Sequence, residues 1–317
     1  MRSILLAGLL ALSGSAALAQ AYPSRPIKFL VPFSPGSGTD IIARTVGEAM
    51  SKNIGQPVIV ENKPGAGGTI AAAQVARGEA DGYTVLIHSS GHALNPAIYP
   101  NLPFDPVRDF TFITNLVNLP TLLIAHPSLQ ATTVPELIAL AKSKPGALTY
   151  SSAGSGSQPH LTAEMFKTMA GVDLLHVPYK GAGPQLLAVV SGEVALTFAT
   201  APAAVPLIKN KQARAIAVTT AERVPALPDV PTFNETLPGY VAIGWNGLVG
   251  PADIPKPIVE KIHAAVAKIY AQPDMRERLV SLAAEPAIST PEEFAALVKT
   301  EIGKWAKAVK DSGAKLD

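Results

Sequence analysis

Two short segments hold residue types that can grip a small anion. Pro32-Phe33-Ser34-Pro35-Gly36-Ser37-Gly38-Thr39 follows the apolar run 27–31 and leads into a helical pattern from Asp40. Ala153-Gly154-Ser155-Gly156-Ser157-Gln158-Pro159 follows the run 148–151 and leads into a helical pattern from about His160. The first turn of a helix leaves N–H groups without partners, and the macrodipole puts partial positive charge there. Glycine lets backbone come close to a ligand, and Ser and Thr add neutral donors. Such a turn can hold an anion without Arg or Lys. One loop of this kind is an ordinary capped turn. Two, in separate α/β units, point to a ligand held between them.

Catalytic readings are weaker. Gly154-Ser155-Gly156 falls short of a nucleophile elbow, and no Walker sequence is present. Gly36-Ser37-Gly38 and Gly65-Ala66-Gly67 lack the third glycine of a dinucleotide fingerprint. A serine hydrolase would need a base, for which His160 is the only candidate. His88 and His92 are four apart, but Ser89-Ser90-Gly91 between them reads as a strand end and turn. No helix is expected to put both on one face, no carboxylate lies near them in sequence, and no metal is expected. His160 and His176 read as ordered by backbone bonds or as lining the cleft. No cofactor is expected.

The elements that must position these loops follow from periodicity. Strands are expected at 27–31, 57–61, 83–88, 122–125, 148–151, 174–177, 194–198 and 215–219. Helices are expected at 40–52, 69–76, 134–142, 160–170, from Pro184, at 258–270, from Asp274 and at 291–312. Thr39 or Ser37 caps the first, and Thr290 the last, with Glu293 at capping-box spacing. Pro225 to Pro238 reads as a long irregular connection. The alternation means α/β lobes with mostly parallel sheets.

The first residues look like an export signal. Arg2 precedes the uncharged apolar core 4–12, and Ala17-Leu18-Ala19 or Ala19-Gln20-Ala21 offers a cleavage site. The core is far shorter than the ~20 residues that cross a bilayer. The expectation is a soluble chain in the periplasm. Charged residues make up 16% and hydrophobic ones 48%, so most of the chain can be buried. Without Arg2 the count is 25 basic (26 less one) against 24 acidic, and no basic patch with interleaved aromatics suggests nucleic acid. The absence of cysteine excludes a lipid anchor on a processed Cys, a thiol nucleophile and any thiolate metal site.

A series of motifs then resembles one family along the whole mature chain. They are Tyr22-Pro23-Ser24-Arg25-Pro26-Ile27, Val31-Pro32-Phe33 with Pro35-Gly36, Gly55-Gln56-Pro57-Val58, and Glu61-Asn62-Lys63-Pro64-Gly65-Ala66-Gly67-Gly68. Asp81-Gly82-Tyr83-Thr84, His176-Val177-Pro178-Tyr179-Lys180-Gly181, Leu227-Pro228-Asp229-Val230-Pro231-Thr232 and Gly244-Trp245 follow in order. Together they resemble the solute-binding receptors of tripartite tricarboxylate transporters, the Bug family. The resemblance implies a two-lobed, type II-like periplasmic binding fold with the ligand between the lobes. It implies lobes of 22–121 plus 246–317 and of 122–245. It implies a ligand carboxylate held by the two loops, partly through ordered water. Phe33, Gly36, Ser37, Thr39 and Asp40 would form one wall, and Ser155, Ser157 and His160 the other, with Ser89, Tyr179 and Thr200 close by. The partners implied are a small organic acid and transporter membrane subunits, or a membrane sensor, for a monomeric receptor. Many family members carry Asp where this chain has Ala199, which implies a ligand without an amino group, such as a dicarboxylate or an aromatic acid.

Overall fold

The structure is a computed structural model that describes residues 22–155 and 157–312, with side chains to 307. The signal-peptide reading of 1–21 lies outside the described residues. The chain opens with β1 (Ile27–Val31), α1 (Gly38–Ile54), β2 (Val58–Asn62), α2 (Thr69–Ala76), β3 (Thr84–Ser89) and α3 (Gly91–Ile98). The long β4 (Phe110–Ala125) leads to α4 (Val134–Ser143), β5 (Thr149–Ser152), α5 (Gln158–Ala170) and β6 (Leu175–Pro178). Then come α6 (Ala182–Ser191), β7 (Leu196–Thr200), α7 (Ala201–Lys209) and β8 (Arg214–Val218). The chain returns through β9 (Ile243–Pro251) to α8 (Lys256–Tyr270), α9 (Pro273–Ser281), β10 (Glu285–Pro286) and α10 (Pro291–Ser312).

Most periodic segments form the expected elements to within a few residues at either end, but β4 starts at Phe110, twelve residues before the expected strand 122–125. Thr290 and Glu293 make the expected capping box: the Glu293 N–H donates to Thr290 Oγ1 (3.2 Å) and the Thr290 N–H to Glu293 Oε2 (2.9 Å). The sheet is mixed where a mostly parallel one was expected. β1 pairs parallel with β2 and β3, and β5 with β6 and β7. The strands between these sets, β4 and β9, run antiparallel to all their neighbours. β4 pairs with β9 over Phe110–Pro120, then with β7 over Thr121–Ala125, so one strand serves both lobes.

β9, β10, α3, α7 and the first part of β4 (110–121) were not expected. β9 contains Gly244, Gly247 and Gly250, which weaken any strand reading. Each leaves room for a neighbour: a Cβ would fall within 2.6 Å of the Gln158 amide, the Phe294 ring and the Ile254 side chain, respectively. α3 and α7 contain Pro96 and Pro206, which break the helical pattern.

Each lobe buries apolar side chains on both faces of its strands. In β1, Phe29 packs with Ile42, Val46 and Ile262, while Leu30 packs with Ala72, Phe112 and Phe294. In β7, Phe198 packs with Tyr150, Phe166 and Phe233, while Ala199 packs with Leu122, Val189 and Ala204. Alternate residues of a strand face opposite sides, so these runs are nearly continuous in hydrophobicity and the charge content is low. No helix among the described residues is long and apolar enough to cross a membrane.

Candidate functional site

The two Gly-Ser loops end in nearly the same geometry. Ser37, at φ −67° and ψ 155°, caps α1 by accepting from the Asp40 N–H (3.2 Å). Ser157, at φ −70° and ψ 156°, caps α5 by accepting from the His160 N–H (3.4 Å). Both loops face one cleft, and each contributes its cap and first helical turn to the lining. Two further helices begin there. Ala182 opens α6 and Thr200 is the N-cap of α7, and neither helix has a side-chain cap. Four helix N-termini therefore meet in the cleft, two satisfied by serine and two left with bare N–H groups.

The lobes touch across this cleft. A Cβ on Gly38 would fall 2.3 Å from Thr200 Oγ1, and one on Gly181 2.6 Å from Ser34 Oγ. Gln158 spans the junction: its Oε1 accepts from Ser90 Oγ (3.4 Å) and its Nε2 donates to Thr121 Oγ1 (3.3 Å). The space left is narrow, ≈ 50 Å³. That is on the order of a few water molecules. Its floor is apolar, with Phe33, Leu119, Leu186 and Ala203. No Lys, Arg, His, Asp or Glu lines it among the described residues.

Phe33, Ser37, Thr39, Ser89, Ser157 and Thr200 are brought together in this lining. Five other expected site residues stand outside it. Asp40 is turned away from the cleft. It accepts from the Gly36 N–H (2.9 Å), Asn62 Nδ2 (2.8 Å) and Arg44 Nε (3.1 Å). Burial pushes its carboxyl up, but these bonds outweigh burial and hold it below its ordinary value. Gly36, at φ +79°, turns the loop there. His160 stacks on His176, with ring centroids 4.2 Å apart. Tyr179 donates its hydroxyl to Glu193 (2.7 Å), away from the lining. Ser155 is half-buried in the loop.

His88 and His92 do come together, against expectation. Their ring centroids lie 4.9 Å apart because the turn at 89–90 folds α3 back on the end of β3. His88 Nδ1 accepts from the Ser89 N–H (2.8 Å), which puts its proton on Nε2. His92 Nε2 donates to the Pro106 carbonyl (2.8 Å). Burial, then the nearby His92, pushes His88 well below its ordinary pKa, and burial lowers His92 to about 4. Both are neutral. Among the described residues no three of His, Cys, Asp or Glu cluster as metal ligands.

Residues 42–314 match the family described as tripartite tricarboxylate transporter family receptor. The chain belongs to this receptor family. Protein BugT of Bordetella pertussis is 33% identical over 301 residues, covering 94% of this chain and 92% of its own. Among solved structures, an R. palustris protein with adipate is 37% identical with TM-score 0.90, covering 93% of this chain and 100% of that one. MatC from Rhodopseudomonas palustris with bound malate is 36% identical with TM-score 0.84, covering 91% and 100%.

Within this receptor, Ala199 lines the cleft. The position at which the resemblance implies Asp in many family members thus lies on the cleft, and here it adds no charge. The sequence reading missed Gln158 as a bridging residue, the α6 and α7 termini as donors, and Asn246. One signal for α7 was present: Thr200-Ala201-Pro202 is an N-cap followed by an early proline. Nothing local marks Asn246, which reaches the cleft only because β9 lies against β3.

Proposed function

We propose that this receptor closes on a small organic carboxylate in the periplasm and hands it to a tripartite-type membrane transporter. The observation that carries this reading is four helix N-termini converging on a cleft without a charged side chain. Partial positive charge with neutral N–H and O–H donors favours an anion. Closure removes water, and the same contacts strengthen in a low dielectric. Micromolar affinity corresponds to about −8 kcal/mol. A few charge-assisted bonds of about 1.5–3 kcal/mol each supply much of that before entropic costs.

The lobes in this reading are 22–121 plus 246–317 and 122–245, hinged where β4 and β9 pass between them. The ligand residues are Phe33, Ser37, Thr39, Ser89, Ser157 and Thr200, with Gly36 and Asp40 holding one loop in shape. The ligand carries no amino group, because Ala199 leaves an ammonium without a counter-charge. The uncharged lining also speaks for capture over hydrolysis, since no side chain on it can act as a base for Ser37 or Ser157.

A thermal-shift screen of mono- and dicarboxylates tests the reading. A ligand at a hundred times its Kd adds about 2.7 kcal/mol. A screen in which no organic acid raises the Tm would defeat it. N-terminal sequencing of protein from the periplasmic fraction tests export, with processing expected after Ala19 or Ala21.

A further inference from the structure

We propose that Asn246 selects ligands that carry a hydroxyl beside the carboxylate. This deepens the reading of the cleft as a carboxylate site and rests on it. Asn246 lies on β9 opposite Ser89 of β3, is fully buried, and lines the cleft. Its Nδ2 donates to the Trp245 carbonyl (3.0 Å) and to Thr39 Oγ1 (3.2 Å). A carbonyl oxygen only accepts, so the amide nitrogen must face Trp245. Oδ1 is buried and has no hydrogen-bond partner. A buried acceptor without a donor is costly, and a ligand that brings a proton removes the cost.

The neighbouring hydroxyls fix what else that ligand carries. Thr39 Oγ1 accepts from Asn246, which leaves its own proton to give. Ser89 Oγ accepts from the Gly91 N–H (3.3 Å) and is likewise free to donate. The wall offers two O–H donors beside one lone acceptor. A bare carboxylate uses the donors but sets its charge against Oδ1. A 2-hydroxy carboxylate uses all three, the carboxylate on Thr39 and Ser89 and the hydroxyl proton on Asn246. An ammonium also brings protons, but no carboxylate in the cleft offsets the loss of its hydration.

Calorimetric titration with two ligand series tests this. Succinate and adipate are each compared with their 2-hydroxy, 2-fluoro and 2-amino derivatives. Fluorine has about the size of a hydroxyl but no proton to donate. The expected result, in whichever series binds, is a 2-hydroxy acid at least tenfold tighter than its parent and a 2-fluoro acid no tighter. In Asn246→Leu, which keeps shape and removes the acceptor, the preference for the hydroxy acid over its parent falls within twofold. Parent and hydroxy acid within twofold of each other in the unmodified protein would overturn the inference. So would a fluoro acid matching the hydroxy acid, an amino acid outranking it, or a preference that survives Asn246→Leu. In all these outcomes the carboxylate reading stands. If no member of either series binds, that reading fails and the inference fails with it. The ligand comparisons need no variant, so a misfolded Asn246→Leu does not remove the test.

Discussion

The two loop–helix units present the same face to the cleft and are braced by different physics. Each ends in a serine cap with almost identical dihedrals, and each helix closes on a left-handed glycine, Gly55 and Gly171. Behind the first, Asp40 ties the loop to Arg44 and Asn62 with charged hydrogen bonds. Behind the second, His160, His176 and Tyr150 form a stack of rings. What the two units share is a capped helix end with donors, and what differs is the bracing behind it. The bracing differs because the surroundings differ. α1 borders the polar end of β2, whereas α5 lies over the aromatic core of the second lobe.

The strongest way to break the likeness is to fill each anion position from within. Ser37→Glu and Ser157→Glu place a carboxylate where the ligand's would sit, and a helix N-terminus tolerates it. Each is expected to abolish binding by calorimetry while circular dichroism stays unchanged. Unaltered affinity in both would break the assignment of the two loops as one site.

Next in size is a contrast between two glycines of the first loop. Gly38→Ala would clash with Thr200 and oppose closure, whereas nothing lies within 4 Å of a Cβ on Gly36. We expect Gly38→Ala to cost about 1–3 kcal/mol of binding, roughly five- to 150-fold in Kd. Gly36→Ala instead strains a left-handed residue, by about 1–2 kcal/mol of stability, and leaves ligand-induced compaction in X-ray scattering intact.

Low pH should weaken the first lobe through His88 and His92. His92 takes up a proton near pH 4 in the folded protein, and near its ordinary 6.5 when unfolded. The unfolded chain therefore binds the proton first as pH falls. Stability drops progressively from about pH 6.5 to pH 4, by on the order of 3 kcal/mol from His92 alone. Denaturant titrations at pH 7 and pH 4 measure it, and His92→Phe should flatten the slope.

Asp40→Asn gives the smallest effect, about 1–2 kcal/mol by chemical denaturation. The folded carboxyl ionises below its ordinary 3.8. Its contribution is therefore complete above that value and lost as pH falls through the lower folded one, which separates it from the histidine effect. Equal losses at pH 7 and pH 3 would show that Asp40 acts by shape alone.

Much of this was legible in the chain. Alternating apolar runs, Ser caps and Gly stops marked most strands and helices, because those signals act within a few residues. The two Gly-Ser turns were legible for the same reason. The resemblance placed Asp40 on the wall and Tyr179 close by. Asp40 bonds Arg44 and Asn62, one helical turn and one strand away, and the Tyr179 hydroxyl donates to Glu193, so both stand outside the cleft lining.

The sequence by itself determined the family, the α/β grammar and the chemistry of the two turns, since each is written in contiguous residues. Only the tertiary structure decided that β9 runs antiparallel between β3 and β4, that α6 and α7 add two more helix ends to the cleft, and that Ala199 and Asn246 line it. Those facts depend on pairings between strands more than a hundred residues apart, such as Ser89 with Asn246. No local pattern records them, because a strand's register is set by what packs against both its faces.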